Sequence, residues 1–235
     1  MTLPLAACAV AVLALILLAL AGPSYRLGML SLPQAATLLT WAAYAGLAAI
    51  VAGATAGVVA YRRRTRLPVL VAGVAVAAGL VAAAIPFEWQ RRAGSAPLHD
   101  VTTDLENPPA FDAVVPLRAD AATSLERRAG LAGEQRDAYP DLAPVVLPVP
   151  LDQAFTRALA VAQDEGWQIV TADQGSGRIE ATDTTRWFGF TDDIVVRLTP
   201  WGAGTRVDIR SVSRQLDNDM GANARRIRRF LSALR

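Results

Sequence analysis

One histidine is present, His99, with Asp100 and Asp104 close behind it. An imidazole with two carboxylates can hold a metal through nitrogen and oxygen. The spacing matches no firm metal motif, so the expectation is a histidine that hydrogen-bonds locally, with no metal and no cofactor. A Ser-His-Asp arrangement would have to use the same His99, and no GxSxG elbow is present. The single cysteine, Cys8, lies in an apolar run, so the C-terminal half has no thiol nucleophile. Paired carboxylates are the remaining route to acid–base chemistry, and Asp192-Asp193 with Asp183 are the candidates. Asp192-Asp193 stands where a strand pattern begins, which favours a solvated turn or a cap. Gly175-Ser176-Gly177 is too short for a phosphate loop and reads as a hairpin turn. The catalytic residues of an enzyme are not legible, and a non-enzyme is the favoured reading.

Binding is better served. In Arg186-Trp187-Phe188-Gly189-Phe190, three aromatics surround a glycine. Exposed across a turn, they would bind a partner or enter a membrane interface. The alternative, which we favour, is that Trp187 and Phe190 close one end of a core. Arg225, Arg226, Arg228 and Arg229 crowd one stretch, mostly off its apolar stripe. They read as a solvated face, or more sharply as contacts to anionic lipid headgroups or to acidic groups of the preceding linker. Arg210 belongs to a polar strand face with Glu180, Arg197 and Asp208, residues able to pair across strands. The candidate binding set is Arg186, Trp187, Phe188, Phe190, Asp192, Asp193, Arg210, Asn223 and Arg226.

The elements that must position these residues divide sharply in composition. Residues 1–87 hold no Asp or Glu and five arginines; the remainder holds 18 arginines against all 21 acids. The net charge of +2 thus hides an anchor near +5 and a remainder near −3, and the positive excess is no nucleic-acid signature. Three uncharged apolar runs, about 3–21, 35–60 and 67–85, are each long enough to cross about 30 Å of hydrocarbon as helices. Gly22-Pro23 should stop the first and Pro86 the third. The short loop holding Arg62, Arg63, Arg64 and Arg66 outweighs Arg26 in the preceding loop. The N-terminus is therefore expected in the cytoplasm and everything after Pro86 outside it, although Arg91 and Arg92 oppose this mildly. Two alternatives are weaker. Cleavage after Ala19-Leu20-Ala21 lacks a charged leader, and Leu5-Ala6-Ala7-Cys8 has its apolar stretch on the wrong side for lipidation. Gly53-Ala54-Thr55-Ala56-Gly57, with Gly46 on the same face, should pack helices within the chain, or else form a dimer.

Residues 88–150 are rich in proline, including Pro97, Pro108, Pro109, Pro116, Pro140, Pro144, Pro148 and Pro150, which favours extended chain. They read as a linker or ordered wrap, with a short helix within Ala121–Ala138. From Leu151 the patterns become regular. An amphipathic helix spans 151–165, four strands with short turns occupy about 167–213, and a last helix runs from about 218 to Leu234. The fold class is α+β: a three-helix transmembrane anchor (1–87), the proline-rich segment (88–150), and a two-layer domain (151–235) of helix, four-stranded antiparallel sheet and helix. Both helices should cover the apolar sheet face.

The segment Ile179–Asp193, the run Val207–Arg214 and Gly221-Ala222-Asn223-Ala224-Arg225-Arg226-Ile227 together resemble the bacterial family called domain of unknown function 1499. His99–Asp104 and Glu106-Asn107-Pro108-Pro109 are similar to members with a multi-helix anchor, as is Gly22–Gly28 to their first external loop. The resemblance implies the same anchor-plus-domain architecture; with the arginine placement, the expectation is a bacterial cell-envelope protein in the inner membrane with its C-terminal domain periplasmic. The resemblance implies no activity. The helix-sheet-helix order also loosely resembles helix-grip modules of outer-membrane assembly lipoproteins, a likeness of fold alone. The functional expectation is a non-enzymatic module that binds a protein or lipid partner at the membrane surface. A membrane-bound enzyme using carboxylates with His99 or a metal is the alternative, and a structural accessory subunit a third. The lipid bilayer is an expected partner and nucleic acid is not.

Overall fold

The computed structural model describes residues 2–93 and 98–235. Pro97 of the proline-rich segment and the side chain of Arg92 lie outside what is described. The chain forms two compact units. One comprises Met1–Arg92 together with Arg186–Gly189, and the other Ala93–Thr185 with Phe190–Arg235.

The first unit contains α1 (Thr2–Arg26), α2 (Leu32–Arg62) and α3 (Arg66–Ala93), three helices long and apolar enough to cross a membrane. Two of their ends differ from the expectation. The first helix runs through Gly22-Pro23 and the third through Pro86. A proline deletes one helical hydrogen bond but does not forbid the following turn. The effective stop for α1 is Gly28, whose φ of +69° lets Met29 and Leu30 N–H reach back to the Ser24 carbonyl. At the start of α2, Gln34 turns back to accept the Ser31 N–H at 2.8 Å, half of a capping box. The small residues face inward. A Cβ on Gly46 would stand 2.7 Å from the Gly79 carbonyl, and one on Gly53 would stand 2.9 Å from Val76 Cγ2. The glycine face of α2 is therefore spent on α3 within the chain. Ala7, Ala11, Ala49 and Ala75 complete the close approach of the three helices.

The second unit is built on one antiparallel sheet of six strands, where the sequence led us to expect four. β3 (Gln168–Asp173), β4 (Arg178–Thr184), β5 (Thr191–Trp201) and β6 (Gly204–Ser213) form the expected meander. The two additional strands, β1 (Asp100–Thr102) and β2 (Val145–Leu147), come from the proline-rich segment. Both pair with the outer edge of β6, β1 opposite 210–212 and β2 opposite 205–207. Proline spacing hid them. Each is a proline-free tripeptide, and an edge strand needs no more. The β1 edge is closed by a side chain: Gln135, from the short helix α4 (Leu131–Ala138), donates to the Thr102 carbonyl and accepts the Thr102 N–H.

The helices α5 (Leu151–Asp164) and α6 (Ala222–Leu234) cover the apolar sheet face as expected. Strand alternation sends Ile179, Ala181, Ile194, Val196, Leu198, Val207 and Ile209 into this layer, against Phe155, Ala158, Ile227 and Leu231. Trp167 stacks on Phe230 at 5.2 Å. Each such large side chain contributes about 1.5–3 kcal/mol by leaving water.

Candidate functional site

The same alternation that fills the core leaves polar residues at one end of it. Asp183 on β4 lies directly opposite Asp192 on β5, and Asp192 opposite Ser213 on β6. These residues share the parity of the apolar face, as does Ser211. Arg226 and Asn223, one helical turn apart on α6, come down onto them. Arg226 uses all five of its N–H donors: Nε and Nη2 on Asp183 at 3.1 and 2.8 Å, Nη2 on Asp192 at 2.6 Å, and Nη1 on Asn223 Oδ1 at 2.6 Å and Ser211 Oγ at 3.0 Å. Ser213 donates to the other oxygen of Asp192. The Asn223 amide donates to Ser213 Oγ and to the His99 carbonyl. Burial opposes the charge of Arg226, but Asp192 and Asp183 more than offset it, and its pKa stands above the ordinary arginine value.

Asp219 anchors this end of α6. Its carboxylate accepts the N–H groups of Gly221 and Asn223, both at 2.7 Å. Burial pushes its pKa up to about 6, and the charge of Asp192 adds to that; the two backbone N–H groups and Arg226 pull the other way.

The outer face of the sheet is equally charged and equally occupied. Residues 104–125 lie along it, and the strand side chains hold them there. Glu180 accepts the N–H of Asp112 at 2.9 Å and of Val114 at 3.0 Å. Arg178 pairs with Glu180 and donates to the Ala110 carbonyl. Arg197 bridges Asp208, Asp104 and the Asn107 carbonyl. Arg210 grips Asp100 with two nitrogens, at 2.9 and 2.8 Å, and donates to the carbonyls of Pro109 and Leu125. Asp193 pairs with Arg118 and Arg214. The cross-strand pairing expected of Arg197 and Asp208 is present, and the chain's own segment is what the rest of the charged face binds.

Several expectations need correction. Asp192 and Asp193 are buried, at 4 % and 0 % exposure, and are neither a solvated turn nor a cap. As neighbours on one strand they point to opposite faces, so they cannot act as a carboxylate pair. Arg226 is not on a solvated face: only 4 % of it is exposed, because it sits above the polar end of the core. Of its neighbours, Arg228 follows the linker alternative, pairing with Asp141 at 2.6 Å, whereas Arg229 pairs at 3.0 Å with Glu165 at the end of α5. His99 joins the network through its backbone carbonyl, which accepts from Ser213 N–H and Asn223. The carboxylates beside it, Asp100 and Asp104, are already committed to Arg210, Arg127, Arg197 and Arg206.

The aromatic segment divides. Phe190 is buried in the sheet unit, where its N–H and carbonyl pair with Thr185. Trp187 and Phe188 belong to the helical unit. Phe188 is 2 % exposed, 4.8 Å from the Trp89 ring and 6.0 Å from Tyr25. Trp187 packs edge-on to Trp89 and fills the space above Gly22. The exposed Arg186 offers its carbonyl to Arg26 at 2.8 Å. Of the candidate set, Asp192, Asn223 and Arg226 come together, Asp193 and Arg210 lie on the opposite sheet face, and the aromatics are packed. The sequence reading missed Ser211, Ser213 and Asp219, although two serines on the apolar parity of a strand are a sign of a polar pocket.

The family described as protein of unknown function DUF1499 matches residues 100–234, from the first residue of β1 to the last of α6. The chain belongs to that family. Every side chain of the Asp183–Asp192–Arg226 network, and of the outer-face pairs with residues 104–125, falls inside the DUF1499 match. No curated protein matches the chain.

Proposed function

We propose that this DUF1499 protein is a membrane-anchored, non-enzymatic module whose sheet unit binds a protein or lipid partner at the membrane surface. The observation that carries the reading is the commitment of its carboxylates. Asp183, Asp192, Asp193 and Glu180 are each held by guanidinium or backbone N–H donors within the chain. Oxygens that already accept such donors are occupied within the fold and are not presented to a substrate. In contrast, the tip of the β5–β6 hairpin presents Trp201, 57 % exposed, under the Arg206 guanidinium at 5.7 Å, with Val146 exposed on the adjoining strand. An exposed tryptophan beside an arginine is the pairing that binding hot spots favour.

The reading includes a topology. The four-arginine loop outweighs Arg26, which supports a cytoplasmic N-terminus in the inner membrane and an external, periplasmic sheet unit. Photocrosslinking in native membranes tests the binding claim, with a photoreactive residue at Trp201 and a control at Gln153 on exposed α5. A discrete adduct from Trp201 alone is expected. Equal labelling from both positions, or none, would contradict a binding role for this tip. Protease protection of the sheet unit in intact spheroplasts tests the side: digestion from outside supports the topology, and protection overturns it.

A further inference from the structure

The loop between α2 and α3 lines an open cleft of about 670 Å³. It is lined by Arg62, Arg64 and Arg66, with Tyr61 and Thr65 beside them, and by the apolar Val69 and Leu70. Residues 1–87 contain no Asp or Glu, and none of these arginines forms an ion pair among the described residues. Four guanidiniums within five residues, Arg63 among them, repel one another and attract an anion from elsewhere.

The backbone adds an independent observation. The helix α2 ends in a Schellman motif, with Arg64 N–H on the Tyr61 carbonyl at 2.9 Å and Thr65 N–H on the Ala60 carbonyl at 3.1 Å. The residue at the left-handed position is Arg64, φ +54°, where glycine is the unstrained choice. An arginine there costs on the order of 1 kcal/mol relative to glycine. A guanidinium kept in that position despite the strain points to a use for its charge.

We infer that this cleft binds the headgroup of an anionic phospholipid, with the phosphoryl group on Arg62, Arg64 and Arg66 and the glycerol and upper acyl chain over Val69 and Leu70. Guanidinium forks match phosphate oxygens in pairs. The cleft is amphipathic, and this selects a lipid over a free phosphate ion. Leu70, 67 % exposed, and Val74, 63 % exposed and one turn further along α3, continue the apolar side of the cleft toward the hydrocarbon. Basic pockets between transmembrane helices are a known location for anionic headgroups. The site is separate from the binding role proposed for the sheet unit and does not depend on it.

The test uses the full chain in nanodiscs of equimolar phosphatidylglycerol and phosphatidylcholine with matched acyl chains, released for native mass spectrometry. Wild type should retain phosphatidylglycerol in clear excess. Arg64→Gly relieves the backbone strain and should fold at least as well, yet lose about fivefold of that preference, the share of one arginine near a headgroup. Adding Arg66→Gln should lower it by about as much again. Equal retention of the two lipids by wild type, or a preference untouched by Arg64→Gly, would overturn the inference. So would millimolar inorganic phosphate binding lipid-free protein with the same arginine dependence while phosphatidylglycerol shows no advantage.

Discussion

Replacing Arg226 by methionine isolates the polar end of the core. The substitution keeps the stem's bulk and removes the guanidinium from Asp192, Asp183, Ser211 and Asn223. Taking one partner from a buried ion pair costs about 3–5 kcal/mol, because the other charge is left without compensation. Two features place this case at the lower end. The Asp183 side chain is 29 % exposed and can rehydrate, and Asp192 keeps the Ser213 hydroxyl. A loss of about 3 kcal/mol corresponds to a fall in Tm of about 10 °C for a domain of this size. The assay is thermal unfolding of the full chain in detergent, followed by near-ultraviolet circular dichroism from the Trp167–Phe230 stack. Arg228→Met is the comparison, since its pair with Asp141 is 40 % and 53 % exposed and contributes under about 1 kcal/mol. Adding Asp192→Asn and Asp183→Asn to Arg226→Met should recover most of the loss. An Arg226→Met protein no less stable than Arg228→Met would refute the view that this network holds α6 to the sheet.

Three further outcomes follow from the geometry. Asp219 has a folded pKa of about 6, above an unfolded value near 3.9, so its charged form is penalised in the fold. That penalty is absent below about pH 4 and complete above about pH 6, so the stability of Asp219→Asn relative to wild type should rise between pH 4 and 7, by up to about 3 kcal/mol; a flat difference would contradict the assignment. Glu180→Gln weakens two charge-assisted bonds, each worth about 1.5–3 kcal/mol, and hydrogen exchange should show the amides of Asp112 and Val114 losing protection before any strand amide does. Gly46→Leu forces a side chain onto the Gly79 carbonyl and should lower the heating temperature at which the detergent-solubilised protein loses monodispersity, a cost of about 1–3 kcal/mol; no change would show that the α2–α3 approach is not tight.

Periodicity carried much of this architecture. Apolar runs of membrane length revealed the three helices, and alternation revealed β3 to β6 and the face they bury. Period fails for short segments. Asp100–Thr102 and Val145–Leu147 are each three residues long, and their pairing with β6 is decided by the meander they join. Prolines misled in both directions, since Pro23 and Pro86 sit inside helices while Pro144 and Pro148 flank a strand. For the polar sites, the residue types were visible but not their partners. Asp192 and Asp193 look like one acidic pair in sequence, yet strand geometry sends them to opposite faces, one to Arg226 and the other to Arg118 and Arg214. Arg226 looked like one of four solvated arginines because helical position alone does not reveal that Asp183 and Asp192 meet across two strands.

The central claim, that the sheet unit is a binding module whose carboxylates serve its structure, is tested most directly by the Trp201 photocrosslink in native membranes, repeated on Asp192→Asn protein that has been shown to be folded. The account predicts a discrete adduct from Trp201 that survives the Asp192 substitution, with none from Gln153. An adduct lost in the folded Asp192→Asn protein, or absent from Trp201 altogether, would contradict it.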